Sequence, residues 1–198
     1  MQRTLIEPDL TFPHSYEVKE VAEFPGTGVF REPVFRFPRG GGDGNALWLR
    51  VKASSGQSWV GVFSSGRYSS GAARAVLSTP NLHRMCVLSY GNAYIVDAGH
   101  PETWERIELF PVLGVRPVVE HDLLLFFDFT GLEAYGTNGV AWKTPRLCWD
   151  DLKITNITAN AVEGTGYDPT NRMRPEMRFA VDLKTGRSLL PSPFENAH

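Results

Sequence analysis

Short apolar runs separated by glycine-bearing turns at a fairly regular beat dominate the chain from about residue 46 onward. Leu47, Leu49 and Val51 alternate with Trp48, Arg50 and Lys52, the period of two that puts one set of side chains on each face of a strand. Between the runs stand Ser55-Gly56, Gly91-Asn92, Asn138-Gly139 and Thr185-Gly186, residue pairs that accept the positive φ of tight hairpin turns. Alternation on both sides of such a turn predicts antiparallel hairpins pairing 46–51 with 59–63, 85–88 with 93–96, 132–135 with 140–142 and 179–183 with 187–190. Asp43-Gly44-Asn45 predicts one more turn ahead of the first of them. Leu123 to Phe129 is apolar on both alternating faces, which predicts a central strand covered on both sides. An apolar period of 3.6 is sustained nowhere; only Glu102 to Glu108, behind Pro101, admits a turn or two of helix.

The first 45 residues have another texture, with Phe-Pro steps at Phe12-Pro13, Phe24-Pro25 and Phe37-Pro38. A residue before proline is driven toward extended backbone, and each phenylalanine can anchor an extended segment to a surface. Disordered segments are poor in aromatics. The expectation is therefore an ordered arm over 1–45, with one or two edge strands, packed on a single all-β domain over 46–198. The predicted fold class is an antiparallel hairpin meander forming a β-sandwich or twisted multi-sheet domain, with an extended proline-rich N-terminal arm.

Two segments resemble a propeller blade of the quinoprotein type. One runs from Phe127-Asp128 through Gly131-Leu-Glu-Ala-Tyr135 and a turn to Val140-Ala-Trp142; the other, Phe179 to Gly186, is similar to the strand and Thr-Gly turn that end such a blade. The resemblance covers these two segments alone and implies a small propeller-like blade array as the alternative architecture. Blades take roughly 40 to 45 residues and at least four are usual, whereas about 150 residues follow the arm. That arithmetic favours the sandwich or meander.

Charge narrows the partners. Twenty basic against twenty-two acidic residues leave a formal charge of -2, without the excess of cations that binding by counterion release requires; no nucleic-acid partner is expected. The longest uncharged apolar run, Leu123 to Phe127, falls far short of the roughly 20 residues that span a bilayer, and Met1 to Leu10 lacks the apolar core of a secretory signal. The expectation is a cytoplasmic protein with no membrane contact, in which the Asn156-Ile157-Thr158 acceptor stays unmodified. Cys86 and Cys148, each inside an apolar stretch and far apart, are expected as buried free thiols.

The motifs of cofactor and phosphate chemistry (Walker loop, dinucleotide fingerprint, His-Glu-x-x-His helix, nucleophile elbow) do not occur, so no cofactor is expected. His14, His83, His100 and His121 share no ligand spacing, and His198 is terminal. Aspartates recur after apolar strands at Asp97, Asp128, Asp150 and Asp182. A carboxylate among apolar neighbours needs a local partner, and turn capping by backbone N–H groups supplies one. Asp128, with Phe127 and Phe129 on either side, is expected to be the most buried. The chemical alternative is that Asp128 or Asp150 serves as a metal ligand or acid-base group in a hydrolase acting on a glycan or phosphoester.

Aromatic side chains and one loop supply the remaining candidates. Tyr135 and Trp142 are close to symmetric about the Asn138-Gly139 turn and are expected as a cross-strand pair, which with Trp149 could form a stacking platform if exposed. Residues 163–175 read as a polar loop in which Tyr167, Asp168, Arg172 and Arg174 offer a ring, an acid and two bidentate donors. The leading functional expectation is a non-enzymatic module binding a small ligand, glycan or protein through aromatic faces, this loop or an exposed sheet edge. The hydrolase is the runner-up. A structural subunit, oligomeric through the N-terminal arm, is the third.

Overall fold

The computed structural model describes residues 5–22, 29–41, 45–66, 74–170, 175–191 and 194. The fold is all-β: among these residues, fifteen strands form four sheets, and one 3-10 turn spans Val119–His121. The chain divides into two compact units, Met1–Val112 and Leu113–His198.

The first unit is centred on the hairpin of β3 (Leu47–Ala53) and β4 (Ser58–Phe63), joined by the turn at Gly56 with φ of 87°. In β3 the aliphatic set Leu47, Leu49 and Val51 is fully buried while Trp48, Arg50 and Lys52 are not, as the alternation requires. Two strands from the first 45 residues flank the hairpin: β1 (Tyr16–Glu20) runs antiparallel to β3, and β2 (Val34–Phe37) runs parallel to β4. The parallel pair departs from the expected succession of antiparallel hairpins. Its register sets Phe37 opposite Phe63, where the rings stack at 4.6 Å.

The unit's second sheet is a meander of β5 (Arg74–Ser78), β6 (Arg84–Ser89), β7 (Asn92–Asp97) and β8 (Trp104–Arg106). The segment behind Pro101 is thus an edge strand, not a turn of helix. Trp104 joins β8 to an aromatic group in which its ring meets Phe37 edge-on at 5.7 Å. Leu49, Val51, Phe63, Val76, Met85, Val87, Tyr94 and Val96 bury one shared core between the two sheets. The chain before β1 is tied to β5: the Asp9 N–H donates to the Val76 carbonyl (2.8 Å), the Ser78 N–H to the Asp9 carbonyl (2.9 Å) and the Phe12 N–H to Ser78 Oγ (2.8 Å). Buried Glu20 accepts from the Ile6 N–H at 2.7 Å and pairs with Arg74 at 3.3 Å.

The second unit begins with β9 (Gly114–Val118), β10 (Leu123–Phe127), β11 (Leu132–Gly136) and β12 (Gly139–Lys143), ordered β12-β11-β10-β9. β10 lies between β9 and β11, and Leu124, Leu125 and Phe126 are fully buried. At the first position of β12, Gly139 takes φ of 122°, with open space around its Cα. Valine there would be strained by its backbone alone. Gly139→Val should cost about 1–2 kcal/mol, read as a lower urea midpoint at unchanged slope.

The last sheet holds β13 (Asp150–Ile157), β14 (Ala161–Tyr167) and β15 (Glu176–Asp182). Residues 187–189 return along β15, with the Asp182 N–H donating to the Arg187 carbonyl (2.9 Å) and the Leu189 N–H to the Ala180 carbonyl (2.7 Å). Each of the four sheets is thus a short, blade-sized antiparallel set except for the β2–β4 pair. Leu125, Leu132, Ala134, Cys148, Leu152, Val162, Phe179 and Val181 bury the second core.

Residues 163–175 do not form one polar loop as expected: 163–167 belong to β14 and pair in register with β15 through Tyr167 and Glu176. The glycines that suggested a loop are there for packing. A Cβ on Gly164 would collide with the Lys153 carbonyl and the Phe179 ring, and one on Gly166 with Cys148.

Candidate functional site

Tyr135 and Trp142 do not form an exposed platform. A register shift after Ala134 pairs Trp142 with Ala134 and Tyr135 with Val140, so the two rings are not cross-strand partners. Tyr135 is fully buried, and Trp142 is buried under Gly186 with its Nε1–H donated to the Leu183 carbonyl at 2.7 Å. Indole nitrogen satisfied by a backbone carbonyl is the signature of a core tryptophan.

Trp149 and Tyr167 are exposed, at 40% and 44%, and adjacent, with the Trp149 N–H donating to the Tyr167 carbonyl at 3.0 Å. The Arg146 guanidinium lies 5.0 Å from the Trp149 ring and is fixed there by donating to the Cys148 carbonyl (3.0 Å) and the Trp149 carbonyl (2.7 Å). Phe194 meets the same indole edge-on at 5.5 Å. Across the sheet, Tyr167 stands in register between Asp150 on β13 and Glu176 on β15, both exposed. Antiparallel partners share a face, so two carboxylates flank an exposed ring. Arg172 and Arg174 lie outside the described residues. The Asp168 carboxylate accepts from the Thr170 N–H (2.9 Å) and hydroxyl (2.6 Å).

The strand-end aspartates cap turns. Asp97 accepts the N–H groups of Gly99 and His100, both at 2.9 Å; Asp128 those of Thr130 (2.7 Å) and Gly131 (2.8 Å); Asp182 those of Lys184 (3.1 Å) and Thr185 (2.8 Å). The Thr185 hydroxyl, foremost, holds the Asp182 carboxyl below its ordinary value. Asp128 is half-buried rather than the most buried, because its turn leaves one side open to solvent. Asp150 accepts from the Asp151 N–H at 2.7 Å and is exposed. Among the described residues no set of three His, Cys, Asp or Glu side chains gathers as a metal site.

Cys86 and Cys148 are free and buried. Burial first, with smaller contributions from Asp150 and Asp128, pushes the Cys148 thiol from 9.0 up to about 11. The folded state therefore holds the thiol neutral after the unfolded chain has begun to ionise it. That contribution is complete below pH 9 and is lost as the pH rises toward about 11. Urea midpoints should fall more steeply over this window in the parent protein than in Cys148→Ala; equal slopes would show that the thiol does not titrate differently in the two states.

A further constellation lies at one end of the first unit, where the start of β1 and the β3–β4, β5–β6 and β7–β8 connections meet around a cavity of about 350 Å³. It is lined by Ser15, Ser54, Ser55, Gln57, His83, Asp97 and His100, with backbone from 97–99. Ser15 Oγ lies 2.9 Å from His83 Nδ1 and also donates to the Leu82 carbonyl at 3.2 Å. With its single proton given to the carbonyl, the hydroxyl accepts from Nδ1–H, leaving His83 Nε2 as an acceptor. The β7–β8 loop is pinned: Trp59 Nε1–H donates to the Ala98 carbonyl, and the Ala98 N–H to the His83 carbonyl, both at 2.8 Å. A second cavity of about 420 Å³ shares Gln57, Gly99 and His100 with the first and is walled by Phe35 and Pro101. Sequence spacing gave no sign of this grouping, since its members come from four separate connections. The one local signal was that Asp97 ends an apolar strand before Ala-Gly-His.

No protein-family model and no curated protein matches the chain. Among solved structures, the N-terminal domain of Nup159 aligns over 99% of this chain and 57% of that one, at 10% identity and a TM-score of 0.40. A chain of the S. cerevisiae complex of a Dbp5 variant bound to Nup159, a Gle1 variant, IP6 and ADP aligns over 99% and 55%, again at 10% identity and a TM-score of 0.40. The chain thus spans a little over half the length of each. Likeness at this level carries no functional inference.

Among the described residues no helix is long and apolar enough to cross a membrane.

Proposed function

We propose that this chain is a binding module that docks a basic, extended segment of a protein partner on the β13–β14–β15 sheet. The observation that carries this reading is the exposed Tyr167 ring set in register between the carboxylates of Asp150 and Glu176. A lysine or arginine head over that ring gains the attraction of the aromatic face and a carboxylate on either side. Trp149, whose N–H binds the Tyr167 carbonyl, adds a second exposed aromatic, held in one orientation by Arg146. Rigid aromatic anchors within a polar rim are the composition of energetic centres in protein interfaces. β13 is also an edge strand, next to which an extended peptide can lie.

The test is a titration of the full chain with a lysine-rich decapeptide and, in parallel, a glutamate-rich one, followed by heteronuclear NMR. The lysine peptide should shift the amides around Tyr167 and Trp149, and Tyr167→Ala should weaken it by about tenfold or more, as loss of an interface anchor does. Equal binding of the two peptides, no binding of the lysine peptide, or binding unchanged in Tyr167→Ala would each overturn the proposal.

A further inference from the structure

We infer that the cavity at the loop end of the first unit is a binding site for a neutral carbohydrate, a mono- or disaccharide. The inference is independent of the partner surface on the second unit. Its basis is the chemistry of the lining. Ser15, Ser54 and Gln57 offer hydroxyl and amide groups that both donate and accept, His83 Nε2 accepts, and Asp97 adds a carboxylate. Asp97 is held by two backbone N–H groups on Oδ1, and among the described residues nothing bonds Oδ2. Donors and acceptors interleaved around one hollow complement the hydroxyls of a sugar ring, each of which donates once and accepts.

Charge selects among polar ligands. Among the described residues neither lysine nor arginine lines either cavity, while the carboxylates of Asp97 and Glu102 do, so a phosphate or carboxylate ligand would lose its hydration against like charge without gaining a fixed counter-charge, whereas a sugar hydroxyl can donate to either carboxylate. A neutral polyol carries no such cost. The adjoining cavity supplies the other half of a sugar site: half-buried Phe35, beside buried Pro101, presents apolar surface against which the C–H face of a pyranose packs, as apolar faces do against aromatic rings. Each cavity falls within the roughly 300–1,000 Å³ of small-molecule sites.

The site is also pre-formed. Asp97 caps its own loop, Trp59 holds the Ala98 carbonyl and Ala98 holds the His83 carbonyl, so little ordering remains to be done when a ligand enters.

The experiment is saturation-transfer NMR of the full chain with glucose, galactose, N-acetylglucosamine, maltose and cellobiose, each at about 10 mM, where ligands with millimolar dissociation constants are visible, together with inorganic phosphate observed by phosphorus line width. At least one sugar should receive saturation and phosphate should not broaden. Gln57→Ala and His100→Ala, at exposed positions where folding does not depend on the side chain, should each weaken the sugar by about fivefold to tenfold, the loss of a hydrogen bond or two. Tyr167→Ala should leave sugar binding unchanged, which separates this site from the partner surface. The inference is overturned if no sugar receives saturation, if phosphate binds in place of sugar, or if sugar binding persists undiminished in both cavity variants.

Discussion

Deleting residues 1–38 is expected to leave a chain whose first unit does not fold. The deletion removes β1 and β2, both outer strands of the first sheet, so β3 and β4 lose their ladder partners on either side. It also removes Phe12, Tyr16 and Phe37, exposed by 2%, 5% and 1%, from their buried positions. At roughly 1.5–3 kcal/mol for each large apolar side chain, these three alone approach the 5–15 kcal/mol of net stability typical of a domain. Circular dichroism and gel filtration of the truncated chain should show lost tertiary signal and aggregation. Because an insoluble product says little about magnitude, Phe37→Ala serves as the graded version. Phe37 stacks on Phe63 and contacts Trp59, Tyr94 and Trp104, and its truncation should cost about 3–5 kcal/mol. A truncated protein that is monomeric and as stable as the full chain would show that these segments lie on the fold without supporting it.

The second large effect is expected at Gly164, in the middle of β14. Any Cβ at this position meets the Lys153 backbone carbonyl and the Phe179 ring. The ring could turn aside, but the carbonyl belongs to the neighbouring strand and moves only with it. Gly164→Val should therefore cost about 3 kcal/mol or more, the upper range of overpacking, and should lower hydrogen-exchange protection throughout β13–β15. The contrast with Gly139→Val is informative: there the space is open and only φ resists, so the smaller cost separates backbone strain from collision. Should Gly164→Val melt no lower than Gly139→Val, β13 and β14 are not as closely packed as described.

Period-two alternation and Gly or Asn turns, visible in the sequence, account for the hairpins β3–β4, β6–β7 and β11–β12, because the pleat forces alternate side chains onto opposite faces. The turns themselves sit one residue away from where their dipeptides suggested. Tyr90, not Asn92, accompanies Gly91 at positive φ (47° and 94°), and Gly139 opens β12 instead of closing the turn. Strand register, imposed by core burial on each side, overrides the local preference of a turn dipeptide. Similarly, Gly164 and Gly166 read as loop residues because glycine has two uses, positive φ and close approach. Only the positions of Phe179 and Cys148 across the sheet distinguish them.

The candidate residues divide along the same line. Trp149 and Tyr167 could be named from the sequence as aromatics near polar neighbours, but their exposure, and the burial of Tyr135 and Trp142, depend on which face packs inward. For Trp142 that was settled by the Leu183 carbonyl, 41 residues away. The turn-capping role of Asp97, Asp128 and Asp182 was legible, since Asp reaches backbone N–H groups two and three positions ahead without help from the rest of the fold. The meeting of Ser15, Gln57, His83 and His100 around one cavity was not, because each lies in a different connection. Thus strand periodicity and aspartate caps were determined by the sequence alone, both being consequences of geometry and bonding within a few residues. The parallel seating of β2, the Trp149–Tyr167 surface and the loop-end cavity were decided by tertiary structure, because each depends on contacts between segments whose separation along the chain leaves no periodic trace.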